Sequence, residues 1–211
     1  MIKTVLDIVL PIKNSSLCRV HLNDGTTLNL PTASIAEEGL LVGASLIEEE
    51  VDRLQDLESL ERAKGAALGY LGYRPRSEGE VRAKLKRLGI RAAITERTME
   101  YLKERDLVND HTFVQFWKEN RLTFRPRSRF LLKQELVKKG VNPQVIDEEV
   151  RDVDDQEAAY QAAQKKVRTL DSQEYHTFRE KLGSYLRRRG FSYDTIAMTV
   201  DRLWEQRGNP S

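Results

Sequence analysis

The chain has 211 residues, of which 39% are apolar, 32% charged and 7% aromatic, with a formal net charge of +2. That composition supports a buried core under a very polar surface. The longest nearly unbroken apolar stretch, Gly39 to Ile47, falls far short of the roughly 20 residues a membrane helix needs, so no membrane contact is expected. The amino terminus shows no apolar region followed by a small-residue cleavage site, which predicts a cytoplasmic protein. Cys18 is the one cysteine, which excludes an intrachain disulfide and a cysteine zinc cluster.

The charge is unevenly shared. Residues 1–60 hold four basic against ten acidic side chains, a balance of −6, and the remaining 151 residues carry 31 basic and 23 acidic groups, or +8. An acidic head on a basic body points to a polyanion, or a protein already coated on one, as the thing bound; a solvated helical surface is the plainer alternative.

In chain order, apolar residues alternate from Ile2 to Ile12 and from Cys18 to Leu30, the pattern of pleated strands. Asp24-Gly25 supplies a tight turn between the last two runs, which predicts a small antiparallel sheet. Past Gly43 the period becomes helical, with Leu46, Val51, Leu54, Leu57 and Leu60 recurring and Glu48-Glu49-Glu50 and Asp52 crowding the first turns, where acids suit the helix dipole. The rest reads as helices broken by Gly and Pro.

Self-similarity is the most informative feature. Arg74-Pro75-Arg76-Ser77 returns unaltered as Arg125-Pro126-Arg127-Ser128, 51 residues on. With Gly89, Gly140 and Gly190 as anchors, Leu85, Leu136 and Leu186 stand four residues before, and Val81, Leu132 and Leu182 eight before. Met99, Val150 and Val200 follow ten residues after, and Leu102, Val153 and Leu203 thirteen after. The four-residue steps set one stripe of a helix against a core, and the anchor glycine allows the left-handed turn that ends it. Ser77 and Glu80 have capping-box spacing, so Arg-Pro-Arg forms an extended lead-in to that helix. Asn142-Pro143 marks the restart of the next one. A preceding helix shows in Phe113, Phe116, Trp117 and Asn120, and more weakly from Ala66 to Tyr73.

The fold predicted is mainly α: three tandem three-helix repeats in an elongated curved array, preceded by a small β segment. The divisions expected are 1–47 for the β-rich segment, 48–110 for a linker helix and the first repeat, 111–155 for the second and 156–211 for the third.

Tyr70, Leu71, Arg74, Arg76, Ser77, Glu78, Glu80, Val81, Leu85, Leu88 and Gly89, followed by Leu107, Asp110, Phe113, Trp117 and Arg121, resemble the signature of the RecX family of bacterial recombination regulators. The likeness covers essentially the whole chain. The third repeat departs from it, with Thr177-Phe178-Arg179 where Arg-Pro-Arg-Ser would fall. The resemblance implies a modulator of RecA in recombination, DNA repair and the SOS response. Such a protein is not an enzyme, binds the groove of the RecA filament on single-stranded DNA, and inhibits its ATPase, strand-exchange and coprotease activities. It implies a monomer without cofactors.

Candidate contacts with filament or DNA are Arg74, Arg76, Arg121, Arg125, Arg127, Arg129 and Lys133, with Lys138 and Lys139 in the same dense segment, and Arg187, Arg188 and Arg189 before the third glycine. Arginines beside Phe124 and Phe130 suit phosphate pairing and base contact, although the phenylalanines could equally be core and the arginines ion-paired or offsetting a helix dipole. Trp117, Trp204, Phe113 and Tyr185 are expected in the core. His21, His111 and His176 lack metal-ligand spacing, and neither a Gly-rich phosphate loop nor a catalytic constellation is present. A freestanding DNA-binding protein built from helix-turn-helix-like units is the competing reading.

Overall fold

The alternating segments pair as read. In the computed structural model, which describes residues 2–10, 16–170 and 173–208, strands β1 (Lys3–Val9), β2 (Leu17–Leu22) and β3 (Thr27–Pro31) are followed by a short helix α1 (Thr32–Glu37) and a two-residue strand β4 (Ser45–Leu46). Pro11 and Ile12, at the end of the first expected strand, lie outside the described residues. The sheet is antiparallel in the order β3-β2-β1-β4. Gly25 turns the β2–β3 hairpin at φ +85°, and Asp24 accepts from the Thr26 amide at 2.9 Å. Leu46 therefore closes the sheet by pairing with Lys3, where the sequence placed it in a helix; the helix starts only after Ile47, whose amide donates to Glu50 at 2.8 Å.

Helix α2 (Glu48–Leu71) runs 24 residues without a break. It absorbs the separate helix expected from Ala66 to Tyr73. Gly65 and Gly69 stay helical because Ala63 and Ala67, on the buried face, hold that stretch against α4 (Ala92–Glu104), with α3 (Glu78–Arg87) between them in sequence. Val5, Val20, Leu22, Leu28 and Leu30 from the sheet form one core with Val51 and Leu54 of α2.

Then come α5 (Asp110–Phe124), α6 (Arg129–Lys138), α7 (Pro143–Glu149), α8 (Asp155–Val167), a single 3-10 turn at Arg168–Leu170, α9 (Tyr175–Arg187) and α10 (Tyr193–Gly208). The tripled stripe is real: Val81, Leu85, Leu132, Leu136, Leu182 and Leu186 are all fully buried, as are Met99, Leu102, Val150, Val153 and Val200. Burying each such side chain favours folding by about 1.5–3 kcal/mol. Gly89, Gly140 and Gly190 have φ of +72°, +76° and +84°. The chain divides into two compact units, Met1–Arg74 with Val81–Leu107 and Pro75–Glu80 with Val108–Ser211.

Inside the second unit the repeated residues meet one another. Ser77, fully buried, caps the Glu80 amide at 3.1 Å and donates its hydroxyl to the Lys139 carbonyl at 2.6 Å. Ser128, also fully buried, caps Leu131 and donates its amide to the Arg189 carbonyl at 3.0 Å. In both cases the serine of one copy grips the glycine turn of the next. A Cβ on Gly79 would stand 2.6 Å from the Lys139 oxygen and 2.7 Å from Gly140 Cα, so the backbones touch directly. At the position matching these serines the third copy has Phe178, buried in its own core against Trp204 at a ring separation of 5.3 Å.

Helices α5 and α7 are clamped by charge. His111 Nδ1 lies 3.0 Å and Gln115 Nε2 3.1 Å from Glu149, while Lys118 reaches the Glu149 carbonyl at 2.8 Å and Asp152 at 2.9 Å. The hydrogen bonds from His111 and Gln115 hold the Glu149 carboxyl below its ordinary pKa of 4.5, and Lys118 lowers Asp152 below 3.8.

Three outcomes test this packing and the clamp. Gly79→Ala lowers stability by about 1–3 kcal/mol in urea denaturation, because the backbones must part, although Ala is the better helix former. Gly65→Ala and Gly69→Ala, with open space around them, raise it by about 0.5–1 kcal/mol each. For the clamp, both carboxyls have depressed folded-state pKa values, so their stabilisation is complete above their unfolded values and lost as pH falls through the folded ones. The denaturation midpoint drops below about pH 4.5, and the double variant E149Q/D152N flattens that drop.

Candidate nucleic-acid interface

The basic segment from Arg121 to Lys139 sorts into side chains the fold uses and side chains it leaves over. Glu135, on α6, is the hub of the first group: it accepts from Arg121 Nε at 2.7 Å and from the Trp117 indole at 2.8 Å, and it pairs with Arg127. Arg121 also lies 4.2 Å from the Trp117 ring centre. Lys139 sits over the same ring at 4.1 Å and pairs with Glu80 at 2.8 Å. Arg129 donates twice to the Val153 carbonyl, at 3.1 and 2.5 Å, and Lys133 pairs with Asp147 at 2.5 Å. Arg74 and Arg76 are half-buried, and each is already engaged.

Arg125, Arg187 and Arg188 are exposed, and their guanidinium groups have no protein partner among the described residues. Arg189 is intermediate: it donates to the Pro126 carbonyl at 3.0 Å and stacks 4.5 Å over the Tyr185 ring.

The end of α5 and the end of α9 bring four of these residues together. Arg125, Arg127, Arg188 and Arg189 line a recess of about 470 Å³ with Tyr185 as its remaining wall, and no acid is among the lining residues. A second recess, of about 350 Å³, shares Tyr185 and Arg189 and adds Phe124, Pro126 and Gln161, with one acid, Glu157, and one further cation, Lys165, on its wall. Phe124 and Phe130 are 68% and 61% exposed, so neither is core. Arg187 faces elsewhere, toward His176, Arg179 and Tyr193. Among the described residues no cluster of three or more His, Cys, Asp or Glu could hold a metal.

Of the aromatics assigned to the core from sequence, Phe113 is fully buried, while Trp117, Trp204 and Tyr185 only border it. Tyr185 packs against the core and also forms a wall of both recesses. A signal existed: counted five back from the anchor glycine, it takes the place that Glu135 holds in the second copy.

A helix, an Arg-Pro-Arg lead-in, a serine-capped second helix, a glycine turn and a third helix define a protein of tandem three-helix domains. The family model described as "RecX, first three-helix domain" matches residues 63–102, and "RecX, third three-helix domain" matches residues 152–200. Regulatory protein RecX of Prosthecochloris aestuarii is 35% identical over 142 residues, covering 67% of this chain and 93% of that protein. Regulatory protein RecX of Clostridium perfringens (strain SM101 / Type A) is 26% identical over 196 residues, covering 90% and 92%. The chain belongs to the RecX family. Its fold is shared with a crystal structure of regulatory protein RecX, at a TM-score of 0.71 and 20% identity over 94% of this chain and 99% of that one. RecX from Lactobacillus salivarius superposes with a TM-score of 0.60 and 25% identity, over 69% and 96% of the two chains.

Proposed function

We propose that this chain regulates recombination by binding the RecA filament on single-stranded DNA and lowering its ATPase, strand-exchange and coprotease activities. It acts by occupying the filament as a monomer, without catalysis of its own, in the cytoplasm and in the setting of DNA repair and the SOS response. The observation that carries this reading is family membership taken together with a basic surface that the fold does not neutralise. Arg125, Arg187 and Arg188 remain unpaired within the described residues, and four guanidiniums share one acid-free recess. Such a surface is matched to a nucleoprotein fibre lined by phosphate. No described helix is long and apolar enough to cross a membrane.

In this reading Arg125, Arg188 and Arg187 make direct contact, with Arg127 and Arg189 beside them. Arg121, Arg129 and Lys133 chiefly hold the second repeat together, and Arg74 and Arg76 contribute from the first Arg-Pro-Arg lead-in. The freestanding helix-turn-helix alternative fits less well. A duplex-reading unit places its second helix in the major groove, and in the α6–α7 pair that helix carries Asp147, Glu148 and Glu149 with no cation. Phosphate would repel it.

ATP hydrolysis by RecA on single-stranded DNA tests the proposal. Adding the full chain lowers the rate, and R125E/R188E raises the half-inhibitory concentration about tenfold, the equivalent of ~1.4 kcal/mol. An unchanged rate, together with no co-sedimentation with the filament, overturns it.

A further inference from the structure

The two serine–glycine joints have the same backbone plan and opposite electrostatics. At the first, Lys139 stands one residue before its glycine, with Glu80 three residues after the partnered serine and Glu135 five before the glycine. Both acids are consumed there: Glu80 pairs with Lys139, and Glu135 takes Arg121, Arg127 and the Trp117 indole. At the second joint Arg189 matches Lys139, Leu131 matches Glu80 and Tyr185 matches Glu135. Both acids have been replaced by carbon-rich side chains. Arg189 turns to a neutral carbonyl and an aromatic face, and Arg188 and Arg125 are left without partners among the described residues.

With no carboxylate at these two places, the recess gathers four guanidinium groups of which Arg127 alone has a carboxylate partner, Glu135, and the like-charge repulsion among the others is relieved when an anion enters. A single carboxylate would supply one charge. A phosphodiester chain supplies a string of them, and planar guanidinium groups pair with phosphate oxygens through two donors at once. Beside this recess lies the second one, where Phe124 presents most of its ring to solvent next to Gln161. An exposed aromatic beside a phosphate-sized basic recess suits a backbone phosphate and its unpaired base, because only an unstacked base offers a free face.

We propose that the joint between the second and third repeats is a nucleotide subsite for single-stranded nucleic acid: Arg125 and Arg188, with Arg127 and Arg189, hold phosphate, and a base stacks on Phe124 in the adjoining recess. This deepens the filament-binding reading by assigning one surface to the nucleic acid instead of to the protein of the filament. The first joint, where Lys139 is held by Glu80 and Arg121 by Glu135, is structural.

The test is fluorescence anisotropy of a labelled oligothymidine, dT20, titrated with the full chain across a range of salt, without RecA. R125A/R188A weakens binding about tenfold and lowers the slope of log K against log salt by about 1.4, the value for two lost phosphate contacts on a single strand. F124A weakens binding with the slope unchanged. K86A/R97A removes two exposed cations elsewhere and serves as the charge control. Equal losses in R125A/R188A and K86A/R97A mean that only net charge matters and overturn the subsite. Unchanged dT20 binding by R125A/R188A, with inhibition of RecA lost, assigns the recess to the protein component and also overturns it. If the wild-type chain leaves RecA untouched while the predicted anisotropy pattern holds, the filament reading falls and the subsite stands.

Discussion

A backbone carbonyl at the end of one helix, reached by a buried serine at the start of another, sets the architecture of the second unit. A helix leaves its last carbonyls without partners and its first amides likewise. Ser77 and Ser128 each solve both problems at once, capping their own helix and donating to the Lys139 or Arg189 carbonyl. The approach is so close that the turn must be glycine for two reasons: the positive φ, and the lack of room for a Cβ beside Gly79 or Ser128. A period of about fifty residues is thus a mechanical requirement. Serine and glycine must sit at fixed positions in every copy that joins to the next.

Once the joint is fixed by backbone, the side chains around it are free to vary in charge, and this chain uses that freedom. Around the first joint Lys139 is tied to Glu80 and the Trp117 ring, and Glu135 alone serves three donors, with Lys138 left at the surface. Around the second, Leu131 and Tyr185 stand at the places of those two acids, and of the four guanidiniums in the recess Arg127 alone meets a carboxylate. Buried or half-buried ion pairs chiefly specify geometry and add little net stability, so the first joint is well suited to rigidity. Unpaired guanidiniums hold their desolvation in reserve for a ligand. In the proposed reading one scaffold carries a structural joint and a binding joint side by side.

Much of this was legible in the sequence, because the constraints that matter are local. The glycine anchors, the four-residue apolar stripe and the Ser77–Glu80 capping box each declare themselves within a dozen residues, and the structure places all of them as read. The ends of elements were less visible. Leu46 has the spacing of a helix, and only its pairing with Lys3, far away in sequence, makes it a strand. Gly65 stands just before the helix expected from Ala66, and packing of Ala63 and Ala67 keeps one continuous helix there. The site was legible as a set of arginines but not as a surface. Arg129 is claimed by a carbonyl 24 residues away, Lys133 by Asp147 and Arg127 by Glu135. No charge count along the chain separates these from Arg125 and Arg188. The comparison of copies does so better, since it shows Glu135 giving way to Tyr185.

The central claim, that the second joint is open to phosphate while neighbouring arginines are held by the fold, is tested most directly by nuclear magnetic resonance of the arginine Nε–Hε groups during titration with dT20. The account predicts that the Arg125 and Arg188 signals shift progressively, with Arg121 and Arg129, held by Glu135 and the Val153 carbonyl, staying in place. Movement of Arg121 and Arg129 with Arg125 and Arg188 unmoved would contradict it.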